Sequence, residues 1–236
     1  MRKTFGAVGL GSFGLIFLLS AVWPAGAQNA KTAYPSMAPL EQYMMEGNAE
    51  IELARSAAPK SVAQNAEVLV LGRNGYETAV KGTNGFVCIV ERAWTVGIDE
   101  PDFWNPKVRA PMCLNAASAR SYLPLTIRKT ELVMAGKSRA QIVEAIEAGL
   151  EKKELPALEP GAMSYMLSKH GYLNDRDGHW HPHVMFYVPL AEPLSLGANT
   201  EDSPIFAAKD VEDRLTVVFI PVAQWSDGTF DSAHME

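Results

Sequence analysis

Beyond residue 27 the sequence has no apolar run approaching the ~20 residues that a membrane-spanning helix needs. It has no G-x-S-x-G and no S-x-x-K, so the local signatures of serine hydrolases are missing. There is no C-x-x-C pair and no C-x-x-C-H site for haem attachment. Positive charge is in deficit, with 21 Lys and Arg against 27 Asp and Glu, which disfavours nucleic acid and anionic membranes as partners. The stretch AGKS ends like a phosphate-binding loop, but the first glycine of that motif would fall at Glu131. NDRDG contains part of a calcium loop, yet its first ligand position falls on Leu173 and its closing glutamate position on Val184. That segment reads instead as a turn formed by Asn and Asp side chains.

The chain opens with a basic MRKTF, an apolar GAVGLGSFGLIFLLSAVW and the exit PAGAQ. This pattern predicts a secretory signal peptide over residues 1–27, cut after the A-x-A formed by Ala25 and Ala27. Pro24 and the A-x-A exit argue against a retained anchor. Loss of Arg2 and Lys3 leaves 19 basic against 27 acidic residues, a net charge of −8. The expected location is the periplasm or the outside of the cell. In such a compartment the two cysteines, Cys88 and Cys113, predict a disulfide. Closing that loop stabilises by roughly 3.5 kcal/mol on the chain-entropy model.

Residues 28–47, with two prolines among small and polar residues, predict a flexible lead, and residues 48–236 a single domain. Asn48 is the expected cap of a first helix that Pro59 ends, with Ile51 and Leu53 on its buried side. Asn74-Gly75 and Asn84-Gly85 separate three segments rich in β-formers, which predicts a three-stranded meander at about 66–72, 76–82 and 86–93. The Pro-rich stretch that follows reads as a loop tied back by Cys113, with Trp94, Phe103 and Trp104 as an edge cap or, less simply, a ligand groove. Helix dominates 115–155, including a Ser138/Gln141 capping box, with Gly136 as the stop before it. GAMSYMLSKHG suggests a short helix ended by Gly171, and HVMFYVP and RLTVVFIPV suggest strands. Strands, then helices, then strands predict an α+β domain with a mainly antiparallel sheet and helices on one face.

The strongest chemical pattern is HWHPH. On an extended chain His179, His181 and His183 share one face with Met185 and Tyr187, while Trp180, Val184, Phe186 and Val188 form the face expected to be core. Residues two apart lie about 6.5 to 7 Å apart, so such imidazoles can converge on zinc or copper, with His170 as a fourth ligand. The competing reading is packing: Pro182 interrupts the ladder, and histidine also serves as a half-polar strand residue.

GTNGFVC, DFWNPKVRAPMC and HWHPHVMFYVP resemble a family of uncharacterised exported bacterial proteins with no assigned activity. The resemblance covers most of the chain after about residue 48 and implies one exported domain, with no reaction, cofactor or catalytic residue attached. The leading expectation is therefore an exported binding or structural module whose Trp and His surface meets a small molecule or an envelope protein. The alternative is a metalloprotein, or a metal-dependent enzyme, built on the histidine row.

Overall fold

The computed structural model describes residues 34–95 and 97–232. The expected signal peptide lies outside them, as does the start of the 28–47 lead. Its described part is docked rather than loose. Tyr43 is fully buried and donates its hydroxyl to Trp104 O at 2.8 Å, and Tyr34 donates to Asp175 Oδ2 at 2.6 Å. Two aromatic anchors override the small, polar composition on which flexibility was expected.

The first helix, α1 (Gly47–Arg55), is capped by Glu46, which accepts from Ala49 N at 3.0 Å, so the cap precedes the expected Asn48. A short α2 (Lys60–Ala63) follows. β1 (Glu67–Gly72) and β2 (Gly75–Val80) form the antiparallel hairpin expected at the first Asn-Gly. Gly72 pairs with Gly75, so Arg73 and Asn74 make the loop, and Gly75 carries the positive φ of 119°. A Cβ there would meet nothing within 4 Å, so a substitution is penalised through the backbone alone. Gly75→Val should destabilise the protein by about 1 kcal/mol. Urea denaturation checks this, and an unchanged midpoint would contradict a turn that needs that conformation.

The second Asn-Gly closes no hairpin. β3 (Val87–Glu91) lies beside β1 and runs parallel to it, not beside β2, so the expected meander is replaced by a crossover. The crossing segment is clamped to the start of β1: Asn84 Nδ2 donates to Val62 O, Thr83 N to Asn65 O and Glu67 N to Phe86 O, each at 2.8 Å. Gly82 makes the approach possible, since a Cβ there would sit 2.1 Å from Glu67 N.

The Pro-rich stretch after β3 ends in a strand of its own, β4 (Ala110–Leu114), which pairs antiparallel with β3 and sets Cys88 directly opposite Cys113. The disulfide is formed, joining two neighbouring strands rather than a strand and a loop. Trp94, Phe103 and Trp104 are all buried, and Trp94 Nε1 donates to Thr130 Oγ1 at 2.9 Å, so these rings are core.

Three helices follow: α3 (Ala116–Ser121), α4 (Leu123–Met134) and α5 (Arg139–Glu151). Gly136, at φ 72°, follows α4, and the Ser138/Gln141 capping box opens α5 as expected. The predicted helix near 162–171 is instead a strand, β5 (Met163–Met166), which fills the place between β4 and β6 (His183–Pro189). β7 (Phe206–Asp210) and β8 (Leu215–Pro221) complete an eight-stranded sheet in the order β2-β1-β3-β4-β5-β6-β8-β7, antiparallel except for the β1/β3 pair. With five α-helices among the described residues, the domain is α+β. The described residues all belong to one compact unit.

Helices cover both faces of the sheet, not one. α1 and α2 pack alanines against Val68, Cys88, Val90 and Cys113, while α4 and α5 pack on the opposite face with Leu69, Leu71, Ile89, Met112 and Leu114. Alternate residues of the same strands feed the two layers.

Candidate ligand cavity

The face that receives α4 and α5 also holds a cavity of about 390 Å³. Its floor is built by strand alternation: Glu91 from β3, Met112 from β4, Met166 from β5, His183, Met185 and Tyr187 from β6, and Val217 and Phe219 from β8. The segment after β3, including Arg92, Thr95, Glu100 and Asp102, and a second segment including Leu173, Asn174 and Trp180 also line it. Tyr122, between α3 and α4, stacks on Tyr187 with ring centroids 4.0 Å apart. A larger cleft of about 600 Å³ lies next to it and shares Tyr122, Asp213 and Leu215. The smaller cavity is the candidate site because three buried ionisable side chains, Glu91, His183 and Asp213, line it together.

Those groups come from three elements. Glu91, only 4 % exposed, accepts from Thr126 Oγ1 at 3.0 Å. Thr95, the other nearby hydroxyl, donates to Arg92 O at 2.8 Å. Burial pushes the Glu91 carboxyl up to about 7, against the opposing pull of the two threonines. Asp213, in the turn between β7 and β8, receives Lys129 Nζ from α4 at 2.5 Å on Oδ2, while its buried Oδ1 has no hydrogen-bond partner. Asp210 lies 3.9 Å from the same ammonium. Burial raises the Asp213 pKa, with Lys129 opposing. Burial also works against the Lys129 ammonium, but Asp213 and Asp210 outweigh it and hold the pKa above the ordinary lysine value.

The histidine row divides. His183 is buried on the cavity side; its Nδ1 donates to His181 O at 2.7 Å, and burial pushes its pKa down to about 4, so the ring is neutral. His181 Nδ1 meets Asp231 Oδ2 at 2.6 Å. His179 is exposed with its ring 5.8 Å from that of Trp225, and His170 is exposed as well. The alternation starts only at His183, because Pro182 precedes the ladder; before it, Trp180 folds back to place its ring 4.7 Å from that of His183. The expected faces are also exchanged: His183, Met185 and Tyr187 point into the core, while Phe186 is exposed. Among the described residues no group of three or more His, Cys, Asp or Glu is placed to hold a metal ion. The convergence expected of His170, His179, His181 and His183 is thus absent from the described residues.

The acidic turn is likewise engaged internally. Asp175 accepts from Tyr34, Tyr172, Lys107 and Asn105, and Asn174 Oδ1 accepts from Arg176 N and Asp177 N, as a side-chain-built turn should. No protein-family model, curated protein or solved structure matches the chain.

Sequence reasoning missed Glu91, Lys129 and Asp213. Two of them left a trace. Glu91 ends the apolar run VCIV at the inward parity of Ile89, and Lys129 interrupts the apolar stripe between Leu125 and Leu132 on α4. Asp213 lies in a polar turn and has no such signal.

Proposed function

We propose that the chain is an exported binding protein that encloses a small organic molecule in the cavity between the sheet and the segment after β3. The observation that carries this reading is a 390 Å³ space, largely apolar, lined by two buried carboxylates, Glu91 and Asp213, the second of which keeps a buried oxygen without a hydrogen-bond partner. Ligand sites typically combine such a volume with a few convergent polar groups. Export is supported by the basic-apolar-small start of the sequence and by the Cys88–Cys113 bridge. Among the described residues no helix is long and apolar enough to cross a membrane. The resemblance to uncharacterised exported bacterial proteins agrees with that location and contributes no activity. The metalloprotein alternative draws no support from the described residues, where no group of three or more His, Cys, Asp or Glu side chains gathers.

The test is native mass spectrometry of protein purified from its own cell envelope without denaturation. A retained small molecule is expected in the wild type and not in Ala208→Trp, which places a large ring on an exposed β7 position of the cavity wall. A molecule retained equally by both proteins would contradict this location. If the wild type emerges empty, soaking it in envelope extract before desalting should restore the extra mass, and failure to do so would also count against the reading.

A further inference from the structure

The charge lining the cavity indicates what kind of molecule it takes, an inference that rests on the binding reading above. Five carboxylates line the space: Glu91, Glu100, Asp102, Asp210 and Asp213. The two basic residues lining it are already engaged, Arg92 with Glu50 at 2.8 Å and Lys209 with Glu192 at 2.7 Å. Lys129 serves Asp213 and Asp210 together. Carboxylates thus outnumber basic groups on this wall, with Glu91 and Asp213 buried, Asp102 and Asp210 half-buried and Glu100 exposed, and a buried carboxylate without full compensation is costly.

A second, independent observation is the state of the deepest two. An ionised carboxylate offers about four acceptor sites. Glu91, only 4 % exposed, has the Thr126 hydroxyl at 3.0 Å and the Thr95 hydroxyl acting on it as well, and no cationic partner within ion-pair distance among the described residues. Asp213 has one oxygen on Lys129 and the other buried without a partner, with the side chain 5 % exposed. Both residues line the same cavity. The remaining wall is apolar and polarisable, with Met112, Met166, Met185, Trp180 and Phe219. Aromatic faces and thioethers suit an apolar body, and an indole face also favours a cation.

We propose that the cavity binds a small organic cation, a primary amine on an aromatic or short aliphatic body, whose ammonium is received by Glu91 and Asp213. An ammonium supplies donors and compensating charge together. An alcohol of the same shape supplies one donor and no charge, and a carboxylic acid adds to the excess.

Proton release should accompany binding, because the ammonium favours ionised Glu91 over the neutral form that burial favours. The groups surrounding Glu91 act in both directions: Lys129 on α4 assists its ionisation, while Asp213, beside Asp210 in the β7–β8 turn, opposes it. Arg92, Glu100 and Asp102 from the segment after β3, Lys209 on β7, Tyr122, and Tyr187 and the neutral His183 on β6 complete the ionisable wall among the described residues.

Calorimetric titration with 2-phenylethylamine, 2-phenylethanol and 3-phenylpropionate separates the possibilities. The amine should bind the wild type about tenfold or more tightly than the alcohol at pH 7.5, and weaken about tenfold or more at pH 5.5, where Glu91 holds its proton. Ala208→Trp should abolish the binding, and Asp213→Asn, shown by its thermal transition to be folded, should weaken the amine selectively. Should that variant not fold, the three probes on the wild type decide. If the alcohol or the acid matches the amine while Ala208→Trp blocks both, the cavity still binds and the cation inference is overturned. Absence of amine binding overturns it as well, leaving the cavity reading to the retained-molecule experiment.

Discussion

Glu91→Gln is expected to make the protein more stable at pH 8, by about 2 kcal/mol. Burial pushes the folded carboxyl up to about 7, against 4.5 for an ordinary solvated glutamate. Below the lower value both folded and unfolded chains hold the proton, and no difference arises. Between the two values the unfolded chain loses its proton while the native chain keeps it, so native stability falls as pH rises. Above the folded value the loss is complete, at about 3 kcal/mol. Glutamine cannot ionise and avoids this loss, while its amide, lacking an assured partner, costs about 1 kcal/mol. Urea unfolding at pH 5 and pH 8 reads the effect. The variant's stability should depend less on pH than the wild type's, and parallel pH profiles would contradict the assignment. A buried acid that destabilises the resting protein is what a site built for a charged ligand would retain.

The second large effect concerns the ion pair that fixes the wall of the cavity. Arg92 is 0 % and Glu50 1 % exposed, and Arg92 Nη2 donates to Glu50 Oε1 at 2.8 Å. Arg92 Nε donates to Tyr43 O at 2.7 Å, its Nη1 donates to Val90 O, and Leu71 N donates to Glu50 Oε1 at 3.1 Å. One pair thus joins α1, β1, the end of β3 and the docked N-terminal segment. Glu50→Ala would leave a buried guanidinium without its counter-charge and should cost about 3–5 kcal/mol. The double variant Glu50→Ala/Arg92→Met should recover much of that loss, because no buried charge is then left alone. Equilibrium denaturation of the two variants checks this. A single variant within about 0.5 kcal/mol of the wild type would show that the pair is not buried as described.

Local chemistry was legible in the sequence and long-range pairing was not. The Asn74-Gly75 hairpin, the Ser138 capping box and the partnership of Cys88 with Cys113 each rest on a few adjacent residues or on a count of two. The crossover that sets β3 beside β1 depends on Gly82 meeting the backbone of Glu67, a contact that no local propensity encodes. GAMSYMLSKHG on its own suggests a short helix ended by Gly171, yet β5, flanked by β4 and β6, gains its stability from its neighbours. The histidine row misled for a related reason. Pro182 breaks the alternation on which convergence depended, and the imidazole nearest the cavity is held by the His181 carbonyl. The groups that define the candidate site are carboxylates 122 residues apart, Glu91 and Asp213, which line one cavity although β4, β5 and β6 lie between β3 and β8 in the sheet.

A crystal structure of the wild-type protein with 2-phenylethylamine at pH 8 tests the central claim most directly. The amine nitrogen should lie within about 3 Å of a carboxylate oxygen of Glu91 or Asp213, with the ring against Trp180 or Phe219. Density for the amine in the adjacent 600 Å³ cleft instead, or an unoccupied cavity at saturating amine, would contradict it.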